Sequence, residues 1–202
     1  MRYNFFLVRK TILIIAASFF TFISFSQDSK RSIVDYGRKF YYNKEEGITP
    51  SYISTFGNSF LQEDLHTVSG KTLFKDSLKK KVVVYNFWFT KCQPCISEMP
   101  GLNKLYKKFI SKSDSVEFIA ITFNDTATIR TFLEKKEFLF NIASLSQPAI
   151  SKMKKMSYYP MTFVINRRHQ ISYAFFGRVG GKNSDDELSN LLESKLMKAL
   201  KE

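Results

Sequence analysis

The residues Trp88-Phe89-Thr90-Lys91-Cys92-Gln93-Pro94-Cys95-Ile96-Ser97-Glu98-Met99-Pro100 hold both cysteines of the chain, its single tryptophan and two of its five prolines. Upstream, Val82 to Phe89 is a nearly unbroken apolar run of the kind that forms a strand buried on both faces. Downstream, Ile96 to Ile110 has the apolar spacing of a helix. The two thiols are therefore expected at a strand-to-helix turn. A helix N-terminus favours negative charge, so a thiol placed there is biased toward the reactive thiolate.

Around this centre the elements alternate. Phe60 to Thr67 reads as a strand, Ser69-Gly70 as a turn and Lys71 to Phe74 as the return arm of a hairpin, followed by a short helical turn at Asp76 to Lys80. After the dithiol helix, Val116 to Phe123 reads as a strand and Asp125 as the cap of a helix from about Thr126 to Lys136. Phe140 to Leu145 is a short strand, Gln147 to Met156 a helix, and Thr162 to Asn166 and Ile171 to Gly177 are strands joined closely enough to be antiparallel neighbours. Ser184 with Glu187 has the spacing of a capping box, and Leu188, Leu191, Leu192, Leu196 and Leu200 mark one face of a closing helix. This order predicts an α/β domain over residues 59–202, with a mixed central β-sheet flanked by helices.

Two segments precede that domain. Residues 1–26 read as a secretory signal, with Arg2, Arg9 and Lys10 ahead of the uncharged stretch Thr11 to Phe25 and small residues at Ser24 and Ser26. Retention as a membrane anchor through residues 7–25 is the competing reading, because the uncharged run extended to Gln27 reaches 17 residues. No cysteine follows the run for lipid attachment. Residues 27–58 form a polar, tyrosine-rich extension without a clear period, in which Ser32 to Asn43 allows a helix. The expected compartment is periplasmic or otherwise extracytoplasmic, where disulfide chemistry takes place.

The formal charge of +13 falls to +10 once the three cations of the signal leave. The lysines and arginines are scattered rather than gathered in one arm, and export makes nucleic acid an unsuitable partner. A Cys92–Cys95 bridge would close so small a loop that it constrains the unfolded chain little, which favours a reactive over a structural role.

Disulfide exchange needs an accessible thiolate, a second thiol to resolve the mixed disulfide and a group to manage protons. Cys92, at the turn, is the expected nucleophile, and Cys95, one turn in and more buried, is the expected resolving thiol. Pro94 suits the first helical turn, and Pro100 inside the helix removes the donor for the Ile96 carbonyl and should bend the helix. Glu98 follows Cys95 by one helical turn and could accept its proton; the alternative is an acid that merely complements the helix dipole. Lys91 either lowers the thiol pKa of Cys92 or is simply exposed. Pro160, 65 residues after Cys95, directly precedes a strand, where a cis bond is possible.

Asn86-Phe87-Trp88, Cys92-Gln93-Pro94-Cys95, Glu98-Met99-Pro100 and Tyr159-Pro160-Met161-Thr162-Phe163-Val164-Ile165 together resemble the thioredoxin superfamily, in particular its TlpA/ResA-like extracytoplasmic branch. The resemblance covers roughly Phe60 to Leu200. It implies a thioredoxin-like fold with an N-terminal β-hairpin and an added segment within Asp125 to Ser146. It also implies a redox-active Cys92–Cys95 disulfide, Glu98 as a tuning carboxylate, and a cis Pro160 against the dithiol. Substrate contacts are then expected from Trp88, Gln93, Pro94, Tyr159 and Pro160. Lys91 departs from the pattern, since many relatives have tryptophan there.

The activity implied is that of an exported thiol-disulfide oxidoreductase acting mainly as a reductase, without a cofactor. Its partners would be disulfide-containing exported proteins, with apocytochrome c as a candidate client, and a membrane reductant donor. Two other readings stay open: a thiol peroxidase, because Phe89-Thr90-Lys91-Cys92 resembles the Thr-before-Cys pattern of peroxiredoxins, and a non-catalytic binding or chaperone module. A zinc site is disfavoured, since the chain has two cysteines and only His66 and His169.

Overall fold

A computed structural model of the chain describes residues 30–35, 38–43, 47–48, 63–112, 114–154, 158–176 and 184–202. The proposed signal, residues 1–26, lies outside them. β1 (Lys30–Asp35) and β2 (Arg38–Asn43) pair antiparallel, and β3 (Gly47–Ile48) adds to β2. This corrects the helix expected over Ser32 to Asn43. The two arms carry Ile33-Val34 and Phe40-Tyr41-Tyr42, β-branched and aromatic residues that favour strands.

The predicted hairpin forms from β4 (Leu65–His66) and β5 (Thr72–Leu73), with Leu65 opposite Leu73. Its described strands are shorter than the sequence pattern. Gly70, at φ +86°, supplies the left-handed residue of the turn. The hairpin docks on the main sheet through a bridge between Thr67 and Ala143 and a bond from the Val68 amide to the Ile142 carbonyl. A four-residue helix, α1 (Lys75–Leu78), leads from it into the domain.

The main sheet has five strands in the order β10 (Ile171–Phe176), β9 (Met161–Ile165), β6 (Val82–Phe87), β7 (Val116–Thr122), β8 (Asn141–Ser144). β6 (Val82–Phe87) runs parallel to β7 (Val116–Thr122) and antiparallel to β9 (Met161–Ile165), which makes the sheet mixed. β6, β7 and β9 are buried at every position, so both faces of the sheet are covered. Burial of each such valine or isoleucine contributes about 1.5–3 kcal/mol. Asn86 keeps its place in this apolar strand because its side-chain amide donates to Thr162 Oγ1 across the β6–β9 pair, at 3.0 Å.

The segment expected as an addition holds α3 (Thr126–Leu133) and β8 (Asn141–Ser144), and β8 extends the sheet beyond β7. Asp125 caps α3, accepting from the Thr128 amide at 2.8 Å. α4 (Gln147–Lys154) follows. β10 (Ile171–Phe176) then returns antiparallel to β9 through a turn in which His169 adopts φ +61° and Asn166 Oδ1 accepts from the Arg168 and Gln170 amides.

The dithiol helix, α2 (Gln93–Phe109), continues through Pro100 into a 3-10 turn at Ile110–Lys112. It packs against the closing helix α5 (Ser184–Ala199). Contact is close because Gly101 has no side chain: a Cβ there would lie 2.8 Å from the Asp185 carbonyl oxygen. At the rim of the same contact, Lys104 pairs with Asp186 at 2.9 Å and Lys108 with Glu193 at 2.6 Å.

Candidate active site

Cys92 is the N-cap of α2, in extended backbone conformation, and Pro94 sits in the opening turn where a missing N–H costs nothing. The Cys95 amide donates to Cys92 Sγ at 3.3 Å, and the Ile96 amide to the Cys92 carbonyl at 3.0 Å. Cys92 and Cys95 form a disulfide with their Cα atoms 5.2 Å apart. On reduction, the same amide would support a thiolate at Cys92. Cys92 is 5% exposed and Cys95 2%, so both are buried in the bridged state. Gln93, Pro94 and Lys91 are exposed around the bridge.

Strand register brings the second constellation to this turn. Phe87 pairs with Met161, so one step further along the antiparallel ladder Pro160 falls beside Trp88 and Tyr159 beside Phe89. The rings agree: Phe89 and Tyr159 meet edge-to-face at 5.3 Å between centroids. The Tyr159–Pro160 bond is cis. Phe89 is itself tied to the dithiol, since its carbonyl accepts from the Cys92 amide at 3.0 Å. Burial pushes the Tyr159 phenol above its usual pKa.

Glu98 is 2% exposed and lies with Cys95, Met99 and Leu102 on the buried side of α2. It stands beyond the first turn of the helix, which carries no acidic residue. A surface acid complementing the helix dipole is therefore not what the fold makes of it.

Trp88 requires a correction. It was expected to touch substrate, yet it is fully buried, tilted against Phe132 at 5.1 Å and edge-on to Phe138 at 5.6 Å. The reason is its place: it continues the β6 strand direction into the core before the chain turns outward at Phe89. It supports the site from below.

Three neighbours escaped the sequence reading. Phe123 packs against Phe89 at 5.4 Å and Tyr159 at 6.1 Å, completing a half-buried aromatic group at the end of β7. Asn124 Oδ1 accepts from the Thr90 amide at 2.9 Å and from Thr122 Oγ1 at 3.1 Å. Phe89 was in view but had no partner to give it a role. Asn124 precedes the Asp125 cap and belongs to no motif that would mark it. No cluster of three or more His, Cys, Asp or Glu able to hold a metal occurs among the described residues.

Comparison with known proteins agrees with this geometry. The model of the AhpC/TSA family matches residues 57–174. The thiol-disulfide oxidoreductase ResA of Bacillus cereus is 29% identical over 154 residues, spanning 76% of this chain and 82% of the relative. Among solved structures, StoA from Bacillus subtilis superposes with a TM-score of 0.53 at 20% identity, covering 64% of this chain and 94% of that one. A secreted Mycobacterium tuberculosis disulfide oxidoreductase homologous to E. coli DsbE superposes with a TM-score of 0.54 at 22% identity, covering 66% and 96%. These two establish likeness of fold, that of thioredoxin-like proteins.

Proposed function

This chain belongs to the AhpC/TSA family, and we propose that it works as an exported thiol-disulfide oxidoreductase that reduces protein disulfides through Cys92 and Cys95. The observation that carries this reading is the bridged cysteine pair at the N-cap of α2, set beside the cis Tyr159–Pro160 bond. The ResA relative points the same way.

In the reduced protein, the Cys92 thiolate attacks one sulfur of a client disulfide. A mixed disulfide forms and the first client thiolate leaves. The Cys95 thiolate then attacks Cys92 Sγ, releases the second client thiolate and closes the Cys92–Cys95 bridge. Two electrons pass from the protein to the client, and a dithiol donor at the membrane returns them. Glu98 takes the proton of Cys95 as that thiol becomes the nucleophile. Gln93, Pro94 and the backbone of Tyr159 hold the client segment, with cis Pro160 shaping the wall behind it. Residues 1–26 direct export or anchor the chain, and extracytoplasmic proteins with exposed disulfides, apocytochrome c among them, are the clients.

The test is covalent trapping in cells. Cys95→Ser should accumulate mixed disulfides through Cys92, and Cys92→Ser should accumulate none. Purified protein should reduce insulin and leave hydrogen peroxide unconsumed. Absence of any trapped partner, or stoichiometric peroxide consumption, would overturn the reading.

A further inference from the structure

A groove of about 360 Å³ runs along α2 away from the dithiol. Its floor is Ile96, Met99 and Pro100, and Lys104, Lys107 and Lys136 stand on its rim. The spacing ties it to the nucleophile: Ile96, Met99, Pro100 and Lys107 follow Cys92 by four, seven, eight and fifteen residues, which is one face of an α-helix. The groove therefore opens on the side of α2 at whose N-terminal end Cys92 stands.

Its far wall is fixed. Asn103 reaches across from α2, donating to the Glu137 carbonyl at 2.9 Å and accepting from the Leu139 amide at 2.9 Å. The shape is thus held before anything enters, which lowers the cost of binding. Its charge is also partly uncommitted. Lys136 has no ion-pair partner among the described residues. Lys107 approaches Glu137 at 3.6 Å, but both side chains are more than 60% exposed, and such a pair is held weakly. Lys104 is committed to Asp186. At the dithiol end, Lys91 is exposed beside Cys92. Cations thus stand at both ends of an apolar floor.

Resting on the reductase reading above, we propose that this groove binds an acidic segment of the client protein. An apolar client side chain sits on Ile96, Met99 and Pro100, and client carboxylates meet Lys107 and Lys136. The distance sets where those carboxylates belong. From Cys92 to Lys107 the helix rises about 22 Å at 1.5 Å per residue. An extended client chain covers that in about seven residues. The acidic positions should therefore lie roughly five to seven residues from the client cysteine under attack.

The test compares disulfide-bridged peptides that differ only at positions five to seven residues from the cysteine, carrying aspartate, glutamine or lysine there. Each kcat/KM is divided by the same protein's rate on hydroxyethyl disulfide, which is too small to reach the groove. At low ionic strength the aspartate peptide should exceed the glutamine peptide about fivefold and the lysine peptide by more, with the gap closing near about 0.5 M salt. The double variant Lys107→Gln/Lys136→Gln should bring the aspartate peptide down to the glutamine value. Equal values for the three peptides, or a preference that survives the double substitution, would overturn the groove assignment. Failure of the unaltered protein to reduce hydroxyethyl disulfide would instead overturn the reductase reading, and the groove assignment with it.

Discussion

The backbone amide of Thr90 donates a 2.9 Å hydrogen bond to the side-chain oxygen of Asn124, which links the turn before Cys92 to the end of β7. Asn124 is held in turn. Its amide donates to Thr122 Oγ1 at 3.2 Å, and its carbonyl accepts from Ser144 Oγ at 2.7 Å on β8. Asn124 thus ties the nucleophile's loop to β7 through its side chain and to β8 through its backbone carbonyl. Asn124→Ala removes the acceptor and should cost about 0.5–1.5 kcal/mol of stability. That corresponds to a melting point lower by about 2–4 °C per kcal/mol in a chain of this size. If the loss falls unequally on the bridged and reduced forms, the dithiol potential will also move, by up to about 20 mV per kcal/mol of imbalance. A glutathione titration reads this. Asn124→Asp keeps an acceptor and should recover most of the melting temperature.

Gly101 sets how near α5 can come to α2. In a helix interior, glycine to alanine ordinarily stabilises by about 1 kcal/mol. Here the added Cβ would meet the Asp185 carbonyl oxygen at 2.8 Å, and that atom is backbone and cannot swing aside. Overpacking of this kind costs about 1–3 kcal/mol, so the sign reverses. Gly101→Ala should lower the denaturant midpoint, with Gly101→Val lower still. A rise in the midpoint for Gly101→Ala would show that the helices separate freely.

Alkaline pH should destabilise the fold through its buried phenols. Desolvation raises the pKa of Tyr85, and Glu117 adds to it; burial raises that of Tyr159. In the unfolded chain a tyrosine ionises near pH 10. Above that pH the unfolded form has lost a proton that the folded form still holds, so stability falls as pH rises, by about 1.4 kcal/mol per pH unit for Tyr85, with Tyr159 adding in the same direction. The contribution is intact below about pH 10 and lost above it. Urea titrations between pH 9 and 11 should show this slope, and Tyr85→Phe should flatten it.

How much of this was legible in advance depended on whether a residue's role is local or borrowed. Val82 to Phe87 declares a doubly buried strand by its own composition, and Cys92, Pro94 and Cys95 declare a helix start by their spacing. Asp125 names itself as a cap. By contrast, the resemblance makes Trp88 a substrate contact, and only the packing of Phe132 and Phe138 places it in the core. Asn124 and Phe123 owe their positions to the parallel β6–β7 pairing, which joins residues 34 apart, such as Val82 and Val116. Strands β1 and β2 were misread as a possible helix, since short tyrosine-rich arms have too few residues to display a period of two.

Glu98 offers the sharpest test of the proton pathway. Glu98 is 2% exposed and follows Cys95 by one turn on the buried side of α2, the position from which a carboxylate would accept the Cys95 proton. Glu98→Gln keeps the volume and removes the titration. If Glu98 accepts the Cys95 proton, resolution of the mixed disulfide should slow by about a hundredfold or more. Attack by Cys92 should be affected far less. Stopped-flow measurement of the two steps across pH separates the roles. In Glu98→Gln the resolving step alone should slow, so the ratio of the two rates should change at every pH. A purely structural carboxyl would give a different pattern, a lowered melting temperature with the ratio of the two steps unchanged, and that result would remove Glu98 from the mechanism.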